Sequence, residues 1–195
     1  MMSPMFRYFL GFQVAADRAG WLARQLPPAP RDLFAGLKPH LYHLTLCTIA
    51  ETAEARPFIR QHVAKAFAAG LPAASPIRFG RIVGKAMGAE LVTTDSIVEI
   101  RQLYAAIVAL LATCGIEPMH RDSGLRPHVT LGYGACDFKA VPLAWTWIPD
   151  ELVLIESHIG HRRHRVLQSW TLEPPAQAAF AFMDDALPPA LRRAA

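Results

Sequence analysis

A chain of 195 residues, 52% hydrophobic and only 18% charged, excludes a disordered or extended protein and can bury a substantial core. It holds no apolar run of the ~18 residues that a membrane span needs. The net charge of +4 is carried mostly by arginine, which suits phosphate binding but equally reflects a GC-rich genome, so charge alone decides nothing.

The opening stretch "MMSPMFRYFLGFQVAADR" has no basic leader, and an arginine interrupts its apolar run, so it reads poorly as a secretory signal. Cys47, Cys114 and Cys136 are odd in number and show no CxxC spacing. That argues against a disulfide framework or a zinc knuckle and for a reducing cytoplasm.

"FRYFLGFQV" (6–14) is dense in aromatic residues and reads as a buried strand. "AADRAGWLARQL" follows as a helix with Asp17 near its start, stopped by "PPAPR". A strand is expected over 41–49, "LYHLTLCTI"; its alternation puts His43, Thr45 and Cys47 on one face and Leu44, Leu46 and Thr48 on the other. The stretch 55–70 predicts a helix with Pro57 in its first turn, Phe58, Val63 and Phe67 on its apolar face and Gly70 at its end. "PIRFGRIVGKAMGAELVTT" reads as two strands around a glycine-bearing turn. The longest helix is expected over 95–116, with Asp95 or Ser96 as N-cap and Gly115 as its stop. A strand follows at 128–133, and then "ELVLIESHI" and "VLQSWTL" flank "GHRRHR" as a hairpin with a basic tip. The remainder, 174–195, is an alanine- and proline-rich tail.

Strands and helices do not alternate strictly, and no glycine-rich phosphate loop opens a helix. The expected class is therefore α+β with antiparallel sheets, not a doubly wound parallel sheet. One internal echo stands out: "HLTL" at 43–46 returns as "HVTL" at 128–131. It suggests two related lobes packed around a central cleft, in a single domain spanning 1–173.

In a strand, residues i and i+2 point the same way, so each copy projects a histidine and a threonine together. Two such strands facing one another would bring His43 and His128 to opposite sides of one ligand. In-line displacement at phosphorus needs that arrangement, because the entering water loses a proton while the departing oxygen gains one on the far side. Histidine serves either role near neutral pH, with an ordinary pKa of ~6.5. Threonine hydroxyls and an arginine can bind the non-bridging oxygens, and no metal or other cofactor is required. Arg126, two residues before His128, is the arginine in question.

The pair "HLTL" and "RPHVTL" resembles the two-histidine (2H) phosphoesterase superfamily. Within it, the match is to the RNA 2′,3′-cyclic phosphodiesterases of bacteria and archaea, historically called 2′–5′ RNA ligases. "FRYFLGFQV" resembles that family's opening strand and "LVLIES…G…VLQSWTL" its C-terminal hairpin, so the resemblance covers roughly residues 6–172. It implies a fold of two pseudo-symmetric lobes, each an antiparallel sheet with helices outside. It further implies His43 as general acid to the leaving ribose oxygen and His128 as general base for water, with Thr45, Thr130 and Arg126 holding the phosphate. The implied substrate is an RNA or oligonucleotide end bearing a 2′,3′-cyclic phosphate, opened to a 2′-phosphomonoester, with 2′–5′ ligation as the reverse reaction. The chain departs from the family at Cys47, where a basic residue is frequent, and over "GKAMGAELVTTDS".

Three alternatives stand beside this reading. The same site would serve a cyclic nucleotide, an ADP-ribose phosphate or a 2′–5′ oligonucleotide. The same fold would serve as a non-catalytic nucleotide-binding module. The arginine excess alone would give general RNA binding. The "GHRRHR" stretch reads as a solvated hairpin tip rather than a metal site at His161 and His164, since cysteine and carboxylate ligands are missing nearby. His40 and His62 receive no role, and Phe79, Tyr133 and Phe138 are read as packing residues rather than base-stacking ones. Cys47 has no charged neighbour in sequence to activate it, which argues against a nucleophile. No membrane partner is expected.

Overall fold

The computed structural model describes residues 5–28, 34–94, 96–119, 124–136, 138–161 and 163–175. The proposed tail falls outside them from residue 176 onward.

Within these residues, nine strands and three α-helices run in the order β1 (Phe6–Gln13), α1 (Ala16–Arg24), β2 (Phe34–Gly36), β3 (His43–Thr52), α2 (Ile59–Ala66), β4 (Ile77–Lys85), β5 (Gly88–Thr93), α3 (Val98–Ala112), β6 (His128–Gly134), β7 (Val141–Trp147), β8 (Glu151–His158) and β9 (Arg163–Thr171). A 3₁₀ turn, Pro39–Leu41, leads into β3. Every strand pair is antiparallel, which makes the fold α+β as expected.

The strand order is β7-β4-β5-β6-β3-β1-β8-β9, with β2 pairing β6 off that path. At its centre, β3 and β6 share one backbone pair, Leu44 with Val129. The seam divides that path into two half-sheets, with β6, β5, β4 and β7 on one side, joined by β2, and β3, β1, β8 and β9 on the other. The first strand, β1, and the last two, β8 and β9, share one half-sheet with β3, and the strands between them in sequence build the other. The two copies of the repeat thus face one another, although the C-terminal hairpin returns to the first half.

Alternation explains the layers. Tyr8, Leu10 and Phe12 on β1, Leu44 on β3, Leu91 on β5 and Val129 on β6 are fully buried in one main core. The helices close over it; α3 contributes Ile100, Leu103, Tyr104, Ile107 and Leu111, spaced by three and four. A second, small cluster of Phe9, Val153 and Ile155 lies apart from that core.

Several boundaries differ from expectation. α2 starts at Ile59 rather than 55, because the residue before Pro57 is disfavoured in the α region, and Phe58 is left 65% exposed. α3 starts at Val98 with Ile97 in the cap position and no side-chain cap; Ser96 does not cap it, and Asp95 lies outside the described residues. Gly115 adopts φ +71 just past the helix, as a C-terminal stop requires. β2 and β7 have no counterpart among the expected elements. β7 is an edge strand carrying Pro142, and a proline masks a strand in sequence because it cannot join a central ladder.

Candidate active site

Leu44 and Val129 are both fully buried, so their sequence neighbours point to the opposite side of the sheet. Continuing the antiparallel register from this pair sets His43 opposite Thr130 and Thr45 opposite His128. The seam therefore sets all four motif side chains on the same face of the sheet, each only partly buried. Arg126 precedes β6, and its guanidinium bonds Glu90 on β5.

The two imidazoles are held in the same way. Nδ1 of His43 lies 2.7 Å from the carbonyl oxygen of Leu41, and Nδ1 of His128 lies 2.8 Å from that of Arg126. A carbonyl only accepts, so in each ring Nδ1 carries the hydrogen and the lone pair of the neutral ring lies on Nε2. In both cases the acceptor is two residues upstream. The sequence repeat is thus also a repeat of hydrogen bonding.

It is a repeat of backbone irregularity as well. Between β1 and β3 the pairing runs from Leu10–Cys47 to Gly11–Thr45, skipping Leu46. Between β5 and β6 it runs from Ala89–Gly132 to Glu90–Thr130, skipping Leu131. Both bulges fall on the leucine that ends the motif. A bulge resets alternation, so Cys47 leaves the face of His43 and packs with Leu10 in the core, 4% exposed. The alternation expected for 41–49 therefore fails beyond Thr45. Burial pushes the Cys47 thiol up to about 12, which removes it as a thiolate nucleophile.

The surroundings of the two histidines differ. His43 stacks on Phe9, with ring centres 4.9 Å apart, and the ring of His164 meets it edge-on at 4.8 Å. Burial in this aromatic setting lowers the His43 pKa to about 4, the Leu41 hydrogen bond opposes the shift, and the imidazoles of His164 and His128 add to it. His164 is itself held below its ordinary value, first by burial and then by His40.

On the other side of the seam, Glu90 bonds Arg126 and Lys85, the latter at 2.5 Å. Burial works to raise its carboxyl, but the Lys85 hydrogen bond and the charges of His128, Arg126 and Lys85 outweigh it and hold the group below the usual carboxylate range. A cavity of ≈ 260 Å³ opens beside this cluster, lined by Thr45, Thr48, Tyr104, Leu125, Arg126 and His128 among others. A larger cavity of ≈ 560 Å³ lies away from the cleft, between α2 and the end of α3.

Three residues of the cleft escape a reading of the sequence: Phe9, Glu90 and His164. The expected solvated tip does not hold for His164, because β9 begins at Arg163 and carries His164 back to His43. A signal for it is present, since a strand continuing through "RHRVLQ" alternates His164 against Arg163 and Arg165. Glu90 gives no signal, because its facing depends on the bulge at Leu131. Among the described residues no group of three His, Cys, Asp or Glu side chains is placed to hold a metal ion. Phe79 is buried and stacked on Trp145, as a packing residue should be, whereas Tyr133 is 48% exposed.

No protein-family model matches the chain, and no curated protein matches it by sequence. Solved structures do match. Escherichia coli LigT in its apo form is 18% identical, with a TM-score of 0.66, over 88% of this chain and 99% of LigT. TT0787 of Thermus thermophilus is 16% identical, with a TM-score of 0.67, over 86% of this chain and 98% of that one. A further structure described as a phosphoesterase is 17% identical, with a TM-score of 0.65, over 86% and 98% of the two chains. LigT has also been solved with phosphate, 3′-AMP, ATP and NADP+. The chain has the α+β fold of LigT and TT0787 over nearly its whole described length.

Proposed function

We propose that the cleft at the β3–β6 seam is the active site of a metal-independent phosphodiesterase that opens 2′,3′-cyclic phosphate ends of RNA or oligonucleotides to 2′-phosphomonoesters. One observation carries this reading: two imidazoles, fixed in the same tautomer by equivalent carbonyls, with the lone pair of each neutral ring on Nε2. The fold shared with LigT, and the nucleotides and phosphate with which LigT has been solved, support a nucleotide-derived phosphate as the occupant.

The chemistry follows from the tautomer. A neutral ring whose Nδ1–H is held by a carbonyl presents a lone pair at Nε2 and takes the proton of an attacking water. A protonated ring held the same way presents Nε2–H and gives a proton to the departing ribose oxygen. Thr45 and Thr130, diagonal between the histidines, donate hydroxyl hydrogens to the non-bridging oxygens as charge grows there. Arg126 adds a cation at the rim.

The test is turnover of a short oligonucleotide ending in a 2′,3′-cyclic phosphate, in excess chelator, with the product isomer identified. The expected result is a 2′-phosphomonoester, with alanine at His43 or His128 each costing ~10²–10⁴ in kcat. Tight nucleotide binding without turnover, or activity abolished by chelation, overturns the proposal.

A further inference from the structure

The face of the sheet opposite the motif histidines carries a second polar cluster. On β9, His164 turns to His43, so its neighbour Arg165 points to the other face. There Arg165 lies opposite Glu156 on β8, which in turn lies opposite Tyr8 on β1. Glu156 is buried, and it accepts the Tyr8 hydroxyl at 2.9 Å and the Arg165 guanidinium at 3.1 Å. Burial works to raise its carboxyl, but hydrogen bonds from Tyr8 and His158 and the charge of Arg165 outweigh it and hold the group below the usual carboxylate range. The Tyr8 oxygen also accepts the backbone N–H of Arg56 at 2.8 Å. One buried Tyr8–Glu156 pair therefore ties down both β9 and the segment leading into α2.

Between those two walls lies a cavity of ≈ 310 Å³ lined by Arg56, Arg60, Gln61, Glu156 and Arg165 among others. Three guanidiniums meet one carboxylate there, a surplus of two positive charges. Among the described residues no carboxylate pairs with Arg56 or Arg60, and a guanidinium bonded to one acceptor, as Arg165 is, keeps further N–H donors. The ≈ 560 Å³ cavity beside α2 shares Arg56 and Pro57 with this one and carries Ile49, Phe58, Ile59 and Ile116. Its carboxylate, Glu117, does not border the basic cavity. We propose that the two cavities together bind a small organic phosphate, with its phosphate oxygens on Arg56, Arg60 and Arg165 and its carbon body against Phe58 and Ile116. Forked donors suit phosphate oxygens, and an apolar cavity with a few convergent polar groups is the usual form of a small-molecule site. The site lies across the sheet from the two imidazoles and does not depend on the activity proposed for them.

1-Naphthyl phosphate is the probe and Cys114 the reporter, since its thiol borders the larger cavity and is partly exposed whereas Cys47 and Cys136 are buried. N-ethylmaleimide is uncharged, so its rate at Cys114, read by peptide mass, reports occupancy of the cavity and not attraction of the reagent. The expected result is a saturable slowing by 1-naphthyl phosphate, reversed by inorganic pyrophosphate and not produced by 1-naphthol at the same concentration. Arg56→Gln and Arg60→Gln should each weaken the probe's apparent affinity by about 10–100-fold, the worth of a hydrogen bond to a charged group, and His128→Ala should leave it unmoved. Equilibrium dialysis of the probe should rank these proteins in the same order, independently of the thiol. No saturable binding in dialysis, protection that 1-naphthol matches, equal affinity in wild type and both arginine variants, or loss of binding in His128→Ala each overturns the proposal.

Discussion

Leu44 and Val129 are partners across the seam, and among the described residues theirs is the one backbone pair between β3 and β6. Both are fully buried, and both are flanked by the motif residues whose geometry the site needs. The spacing of the two imidazoles is therefore set by the packing of two aliphatic side chains on the far face of the sheet.

Truncating that packing should damage catalysis beyond its cost in stability. Leu44→Ala is expected to destabilise by ~2–5 kcal/mol, through lost burial and the cavity left behind. Val129→Ala removes less and should leave a folded protein. Its kcat on the cyclic phosphate should nevertheless fall at least tenfold under conditions where denaturation shows it fully folded, since an ångström of misplacement at a reacting pair costs up to ~10²-fold. A Val129→Ala protein with unchanged kcat would show that the seam does not set the imidazole separation.

Stability should fall as pH drops from about 6.5 toward about 4. The folded His43 is held near the lower value while the ordinary value is 6.5, so between them the unfolded chain binds a proton that the folded one refuses. The neutral form stabilises the fold fully above 6.5, and that contribution is lost progressively as pH falls through this window. His164, also lowered, acts in the same direction. Urea unfolding across the window reads the slope directly. Phe9→Leu, which opens the stacked face of His43 to water, should flatten it, as should His43→Gln. An unchanged slope in His43→Gln would place the titration elsewhere.

How far this site is legible in sequence depends on which interactions are local. The repeat itself, the two strands bearing it and the α+β class are readable because period-two alternation and the His-x-Thr-Leu string lie within a few residues. Cys47 is misplaced by that reading for the same reason: alternation is a local rule, and the bulge at Leu46 that breaks it comes from pairing with β1, distant in the chain. Glu90 reaches the cleft through the matching bulge at Leu131, and His164 through the return of β9 to the first half-sheet. Phe9 reads as a core strand residue and is buried, but in the small cluster that underlies His43. What stays hidden is long-range register, which no short stretch encodes.

Arg126 is held by Glu90, so an anionic substrate must draw the guanidinium from a carboxylate already bonded to it. Arg126→Ala should raise KM by about 10–100-fold, the worth of a hydrogen bond to a charged group. Arg126→Lys should recover little of it, because an ammonium cannot fork between two acceptors. Glu90→Gln should free the guanidinium and lower KM while leaving the Arg126→Ala value unmoved in the double variant. Initial-rate kinetics at fixed ionic strength tests this; equal KM values for wild type and Arg126→Ala would remove Arg126 from the phosphate site.

Gly11 lies against the first motif, opposite Thr45, and its role is one of space rather than of backbone conformation. A methyl group there would sit 2.2 Å from the backbone carbonyl oxygen of Leu44, an atom that cannot rotate away. The strand carrying His43 would have to shift, breaking the register that sets His43 against Thr130. Gly11→Ala should therefore destabilise by at least ~2 kcal/mol and abolish most activity. Gly20 in α1 is the contrasting position, since its nearest neighbour would be the Arg24 guanidinium at 3.7 Å. Gly20→Ala should stabilise by ~0.5–1 kcal/mol, as expected for a helix interior, with activity intact. Thermal unfolding of both variants beside the wild type decides the matter: a Gly11→Ala protein as stable and active as Gly20→Ala would mean that β1 does not hold the first motif strand in place.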